Sequence, residues 1–215
     1  MQIFKYVILI ICAYLVGNIS FARIISQIKK DDITKHGSGN PGSFNMLRNY
    51  GFWLAMLTLL LDALKGAIPA LIGFYLFGGA TNIPQSIVAL YVGGLAVIVG
   101  HIYPIFYKFK GGKGVASTVG VFFVANPLWT IIFFVIAFIE VIIFDYGSIA
   151  SFICITGLLI IELLHYQGNL TISILIITIF LLVMAAHKKN IARLIAGKEH
   201  KAGFKGSILS KDKRN

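Results

Sequence analysis

Long apolar runs recur along most of this 215-residue chain, with the charged residues gathered between them. Seven runs can be drawn, at 3–22, 52–77, 86–106, 114–126, 128–144, 149–165 and 169–186. Most are long enough to cross a hydrocarbon core of ~30 Å at ~1.5 Å per residue. Lipid offers no partners to a backbone N–H or C=O, so a run of this length satisfies its own backbone as a helix. The fourth run is short and reads as a tilted or partial span, tolerated where other helices shield its end. The sequence therefore predicts an all-α, polytopic membrane bundle with seven transmembrane segments.

Composition agrees. Apolar residues make up 58% of the chain and charged residues 13%, the latter about half the share of a soluble domain. Ile3–Phe21 reads as a true span rather than a signal peptide, because no small-x-small cleavage site leads into a soluble region and further spans follow. Cys12 and Cys154 both lie inside apolar runs and read as small hydrophobes, with no disulfide framework or thiolate metal site.

The charges fix an orientation. Alternating the seven runs puts loops 23–51, 107–113 and 145–148 and the C-terminal segment on one side. Those loops carry Arg23, Lys29, Lys30, Lys35, Arg48, Lys108, Lys110 and Lys113, and the chain after residue 186 carries nine more cations. The other side has only Lys5. By the positive-inside rule the N-terminus is outside and the C-terminus cytoplasmic. The net charge of +11 then has a topological cause, reinforced by anionic headgroups, and implies no nucleic acid partner. Residues 1–199 read as a single integral membrane domain and 200–215 as a loosely ordered basic tail.

Two cytoplasmic loops carry the chemistry. Gly37-Ser-Gly-Asn-Pro-Gly-Ser-Phe-Asn-Met-Leu-Arg48 holds glycines that allow close backbone approach, short polar arms at Ser38, Asn40, Ser43 and Asn45, and the planar fork of Arg48. The plainer reading is a glycine-rich connector. Its G-x-G-x-x-G pattern is no dinucleotide fingerprint, because no strand precedes it. In Lys110-Gly-Gly-Lys-Gly114, two glycines stand before a helix start and could aim N–H groups at an anion, although the spacing is not that of a Walker loop. The plainer reading here is a lysine anchor. His187 follows the last run and shares a helix face with Asn190, as a base, a binding donor or an interfacial cap. His101 reads as a hydrogen-bonded structural residue. Asp62 and Lys65 read as an intramembrane ion pair, and Glu140 and Glu162 as solvated near the interfaces. No H-E-x-x-H, Cys/His cluster or G-x-S-x-G occurs, so no metal site or lipase elbow is expected.

Gly37-Ser-Gly-Asn-Pro-Gly-x-x-Asn45-x-x-Arg48, Asp62-x-x-Lys65-Gly66, Gly100-His-x-x-Pro104 through Phe109-Lys-Gly-Gly-Lys-Gly-Val-Ala116, and His187-Lys-x-Asn190-Ile-x-Arg-Leu-x-x-Gly-x-Glu199 occur in that order. Together they resemble the bacterial membrane family of acyl-phosphate:glycerol-3-phosphate acyltransferases over nearly the whole chain. The resemblance implies transfer of a fatty acyl group from acyl phosphate to the 1-hydroxyl of glycerol 3-phosphate, giving lysophosphatidate and phosphate. The implied setting is the bacterial inner membrane, with the active site on the cytoplasmic side, no cofactor and no obligatory protein partner. Carried over residue by residue, the catalytic positions are Ser38, Arg48, Lys113, His187 and Asn190. The substrate- and phosphate-binding positions are Gly39, Asn40, Gly42, Ser43, Asn45, Lys110, Gly111, Gly112, Gly114 and Ser148.

Three departures stand out. Ser43-Phe44 replaces the usual Ala-Thr, Asp145 replaces an Arg before Tyr146-Gly-Ser148, and Ala186 replaces an Arg before His187. If Asp145 faced the site it would repel a phosphorylated substrate, with Lys188, Lys189 or Arg193 left to compensate. Two other readings remain: a carrier for a phosphorylated solute, which lacks the expected mid-membrane polar residues, and an inactive or altered-acceptor paralogue.

Overall fold

The computed structural model describes residues 1–209, which form helices and no strand. Helix α1 (Gln2–Gly17) runs through a short break into α2 (Phe21–Ile28). Helix α3 (Ser43–Tyr50) is short and leads directly into α4 (Phe52–Leu76), which is followed by α5 (Ile83–Ile102). Helix α6 (Val115–Ala125), α7 (Pro127–Phe144), α8 (Gly147–His165) and α9 (Leu170–Ala186) complete the bundle. Helices α10 (Lys188–Ile195) and α11 (Phe204–Leu209) lie beyond it.

Local chemistry explains the breaks. Pro127 opens α7 at a position whose N–H has no helical partner, so α6 and α7 are joined by Asn126 alone. The Asn169 side chain caps α9 by accepting from the Ile172 N–H at 3.1 Å. Five stretches are long and apolar enough to cross a membrane: Gln2–Ile28, Phe52–Leu76, Ile83–Tyr107, Pro127–Phe144 and Gly147–His165. Helices α9 and α10 pass together as a sixth, bent by 58° at His187. The fourth predicted run becomes the 11-residue α6, about 16 Å long, half of what a bilayer core demands.

Helix α5 is the centre of the bundle, with Leu90, Tyr91, Val97 and Ile98 essentially buried. It packs against α1, α4, α6 and α9. Small residues bring the axes together. A Cβ at Gly66 would collide with the Ser117 carbonyl, and one at Gly120 with the Ala63 carbonyl, so α4 and α6 touch backbone to backbone. By contrast, α7 exposes Leu128, Ile131, Val135, Ile139 and Ile142, which is what a lipid-facing helix would show.

Two of the charges within the spans pair with each other. Asp62 and Lys65 make a buried ion pair at 2.9 Å, and Lys65 also donates to the Ile19 carbonyl at 2.5 Å. Glu162 is fully buried rather than solvated and accepts from the Tyr91 hydroxyl at 2.8 Å. Glu140 is buried as well. Both glutamates lie far enough along α7 and α8 for neighbouring helices to cover them.

Part of the segment after residue 199 packs against the bundle. Ala202 is completely buried, and α11 packs against α3, α4 and α7. The rest of the predicted tail, 210–215, lies outside the described residues.

Candidate active site

One end of the bundle holds a cavity of about 140 Å³, open at its mouth. Its polar part is lined by Ser38, Asn40, Asn45, Arg48, Lys113, Ser148, His187, Asn190, Arg193 and Glu199. Its apolar part runs down between α4, α6, α7 and α8, past Met56, Leu59, Val119, Phe134, Phe138 and Cys154. A cationic mouth above an apolar cleft suits a molecule with a phosphate head and a hydrocarbon chain.

The first loop is built around Asn45, which is 1% exposed. Its Nδ2 donates to the carbonyls of Ile33 at 3.1 Å and His36 at 3.0 Å, and its Oδ1 accepts from the Ser38 N–H at 3.1 Å. Gly37 has φ +54 and sits against the Asn45 amide, where a Cβ has no room. The outer edge is tied by Asp31, which accepts from the Tyr50 hydroxyl at 2.6 Å and meets His36 Nε2 at 2.8 Å. Those two bonds, Tyr50 first, hold the Asp31 carboxyl down to about 2.

The second loop uses its glycines differently. The Gly111 N–H donates to the Ile102 carbonyl and the Gly112 N–H to the His101 carbonyl, both at 3.1 Å. A Cβ on Gly112 would run into the His101 ring. This folds the loop back onto the end of α5. Gly114, at φ +84, then turns Lys113 into the cavity at the start of α6. Because α6 is seven residues shorter than α7, about 10 Å, Lys113 enters below the rim. Burial lowers its pKa to about 8, against the raising effect of Glu199. The ammonium is charged at neutral pH and poorly solvated, which suits it to an anion.

His187 stands at the bend between α9 and α10, almost fully buried. Its Nδ1 donates to the Val183 carbonyl at 2.8 Å, which leaves Nε2 with its lone pair. Burial first, and Lys113 second, pull its pKa to about 4, so the ring is neutral. Asn190 donates to Glu199 Oε1 at 2.7 Å, and Arg193 Nε donates to the other oxygen at 3.1 Å. Arg48 Nε donates to the Lys201 carbonyl at 2.5 Å, leaving the four N–H groups of its two terminal nitrogens. The Asn190 Oδ1 and the Ser148 Oγ are buried without a hydrogen-bond partner among the described residues.

The five residues expected to be catalytic, Ser38, Arg48, Lys113, His187 and Asn190, all line this cavity, as do Asn40, Gly42, Ser43, Asn45, Gly114 and Ser148. Gly39, Lys110, Gly111 and Gly112 do not. The N–H groups expected to cradle an anion at Gly111 and Gly112 are occupied by carbonyls of α5, and the Lys110 carbonyl accepts from Arg23 at 2.9 Å. Asn45 touches the cavity but commits its amide to the loop. Asp145 does not line the cavity, and its carboxylate accepts from the Phe204 N–H at 3.0 Å. Of the proposed substitutes for the missing arginines, Arg193 reaches the cavity while Lys188 and Lys189 are exposed to solvent. Phe44 fills the wall between α3 and α8 against Gly147. Sequence reasoning passed over Glu199 and Phe204; the only signal for Glu199 was its place at the end of the His187 motif.

Fold and site together define a helical membrane protein with a cationic mouth over an apolar cleft. Residues 7–197 match the family model for glycerol-3-phosphate acyltransferase, and the chain belongs to that family. It is 36% identical over 198 residues to a glycerol-3-phosphate acyltransferase of Finegoldia magna, covering 92% of this chain and 96% of that relative. It is 40% identical over 202 residues to one from Halalkalibacterium halodurans, with the same coverage of 92% and 96%. It also superimposes on crystal structures of PlsY, an integral membrane glycerol 3-phosphate acyltransferase. The glycerol 3-phosphate form gives a TM-score of 0.82 at 36% identity, over 92% of this chain and 95% of that one. The lysophosphatidic acid form gives 0.82 at 35%, over 95% and 99%.

Proposed function

We propose that this chain transfers a fatty acyl group from acyl phosphate to the 1-hydroxyl of glycerol 3-phosphate at the cytoplasmic rim of a bacterial inner membrane. The observation that carries the reading is the convergence of Arg48, Lys113 and neutral His187 on one cavity that continues into an apolar cleft. In this reading Arg48 and Lys113 hold substrate phosphate, and Ser148 and Asn190 supply unused polar atoms beside them. The acyl chain lies in the cleft past Phe134 and Phe138.

His187 offers its Nε2 lone pair to the acceptor hydroxyl and aims it at the acyl carbonyl. A ring with a pKa of about 4 is a weak resting base. The leaving phosphate is the better final proton acceptor. The hydroxyl oxygen bonds to the acyl carbon, the carbon–oxygen bond to phosphate breaks, and inorganic phosphate leaves with the hydroxyl proton. Acyl phosphate is already activated, so positioning and electrostatics suffice.

The orientation rests on charge. The cavity end carries the cationic loops, while the connectors at the other end, 77–82 and 166–169, carry none. With α6 as a partial crossing, alternating passes make seven and leave the N-terminus outside. Cysteine labelling at position 38 from the outside of intact cells would overturn this topology.

Purified protein given acyl phosphate should release phosphate in proportion to added glycerol 3-phosphate. Uptake of a phosphorylated solute into liposomes with no release would favour a carrier instead.

A further inference from the structure

Residues 198–209 lie beyond the family match, yet they are tied tightly to both sides of the site. On one side is the corner between α7 and α8. The Ala202 N–H donates to the Asp145 carbonyl at 2.6 Å, and the Asp145 carboxylate accepts from the Phe204 N–H at 3.0 Å. The Lys201 ammonium reaches the Phe144 carbonyl at 3.0 Å and sits 3.8 Å over the Tyr146 ring. Lys205 reaches the Ile143 carbonyl at 3.0 Å. These lysines meet the unpaired carbonyls at the end of α7, where a cation is favoured.

On the other side is Arg48. Its Nε donates to the Lys201 carbonyl, and its stem lies against Gly203, whose φ of +85 lets the chain turn there. The Phe204 ring packs edge-on against Phe52 and Phe138 and lines the cavity. Four residues therefore join Asp145 to Arg48. A free arginine side chain samples many rotamers, and ordering it on binding is costly. An Arg48 already held by Nε presents its remaining N–H groups in one orientation.

We propose that Asp145 is a positioning residue for the phosphate-binding Arg48, acting through a strap formed by Lys201–Phe204. The strap depends on hydrogen-bond acceptance at Asp145, not on its charge, and it spans from the α7–α8 corner to α3. The proposal rests on the acyltransfer reading of the same cavity.

The test compares Asp145→Ala, Asp145→Asn and a chain ending at His200, each purified in full membrane-domain form. Asp145→Ala should raise KM for glycerol 3-phosphate about tenfold, the scale of one lost hydrogen bond, with kcat changed by less. Asp145→Asn keeps an acceptor oxygen and should stay near the native KM. The shortened chain, which also loses the Lys201 carbonyl on Arg48, should raise KM at least as much as Asp145→Ala, and adding Asp145→Ala to it should change nothing more. Native KM in the shortened chain would overturn the strap, as would Asp145→Asn behaving like Asp145→Ala. If Asp145→Ala does not fold, the shortened chain with Asp145 intact decides alone. A wild type that releases no phosphate overturns the acyltransfer reading. The strap then stands or falls on whether glycerol 3-phosphate raises the melting temperature of the wild type more than that of the shortened chain.

Discussion

The two glycine-rich loops at the cavity end look alike on paper, each with three glycines and flanking cations, and they are built on opposite plans. In the first, residues 37–48, the chain wraps around one buried side chain. Asn45 pairs with Ile33, His36 and Ser38, and Gly37 makes room for it. In the second, residues 108–114, the glycines lose their N–H groups to the carbonyls of His101 and Ile102, and their lack of a Cβ lets the backbone lie flat against α5. The N–H groups of Gly39, Gly42, Gly111 and Gly112 go to backbone carbonyls of the chain. Each loop is a mount that carries one cation, Arg48 or Lys113, into the cavity, and a glycine can serve close approach as well as anion binding.

The largest expected effect removes what the mounts carry. Lys113→Ala and Arg48→Ala should each reduce turnover by at least about a hundredfold, the scale of losing a preorganised charge at a reacting phosphate. Both variants should stay folded in detergent, as a melting curve would check. Near-native turnover in either would show that its loop mounts nothing of consequence.

Next comes the second mount itself. Gly112→Ala drives a methyl group into the buried His101 ring, and that ring is backed by Ser117 and Asp62. Turnover should fall at least about tenfold, with a stability loss of ~1–3 kcal/mol from overpacking. If only stability fell, the placement of Lys113 would not depend on this contact.

Asn45→Ala tests the first mount. It strips the buried Ile33 carbonyl of its partner, at a cost of ~1–3 kcal/mol. KM for glycerol 3-phosphate should rise, while the alkaline limb of the pH profile, which belongs to the other loop, should not move.

That limb has a definite sign. In the proposed reading Lys113 holds substrate phosphate as a cation, and burial has lowered its pKa from the ordinary 10.5 to about 8. Activity should therefore fall as pH rises through about 8. Stability of the ligand-free protein should move the other way. Between about 8 and 10.5 the unfolded chain holds the proton and the folded one does not, so stability rises with pH across that window. Lys113→Arg should carry the alkaline limb upward, because a guanidinium stays charged. An unchanged limb would assign the titration to another group.

The membrane class and most of the cavity were legible in the sequence because a bilayer writes its demand into composition and because Arg48, Lys113, His187 and Asn190 stand in polar, cationic motifs just outside the apolar runs. What was not legible depends on partners remote in sequence. Nothing near Gly111 or Gly112 announces that carbonyls of α5 will take their N–H groups. Ala202 and Phe204 are too few apolar residues in a basic stretch to signal burial, so the segment read as a loose tail. Asp145 looked like a charge facing substrate, whereas the fold turns it to the backbone of Phe204. Glu162 looked solvated because Tyr91, its partner, lies on another helix.

The most direct measurement is binding of glycerol 3-phosphate, read as the rise in melting temperature of purified protein in detergent. Wild type should show a clear rise that shrinks in Arg48→Ala and in Lys113→Ala and vanishes in the double variant. A native-sized rise in both single variants would mean that the two loops do not meet on one phosphate, and the shared site would be wrong.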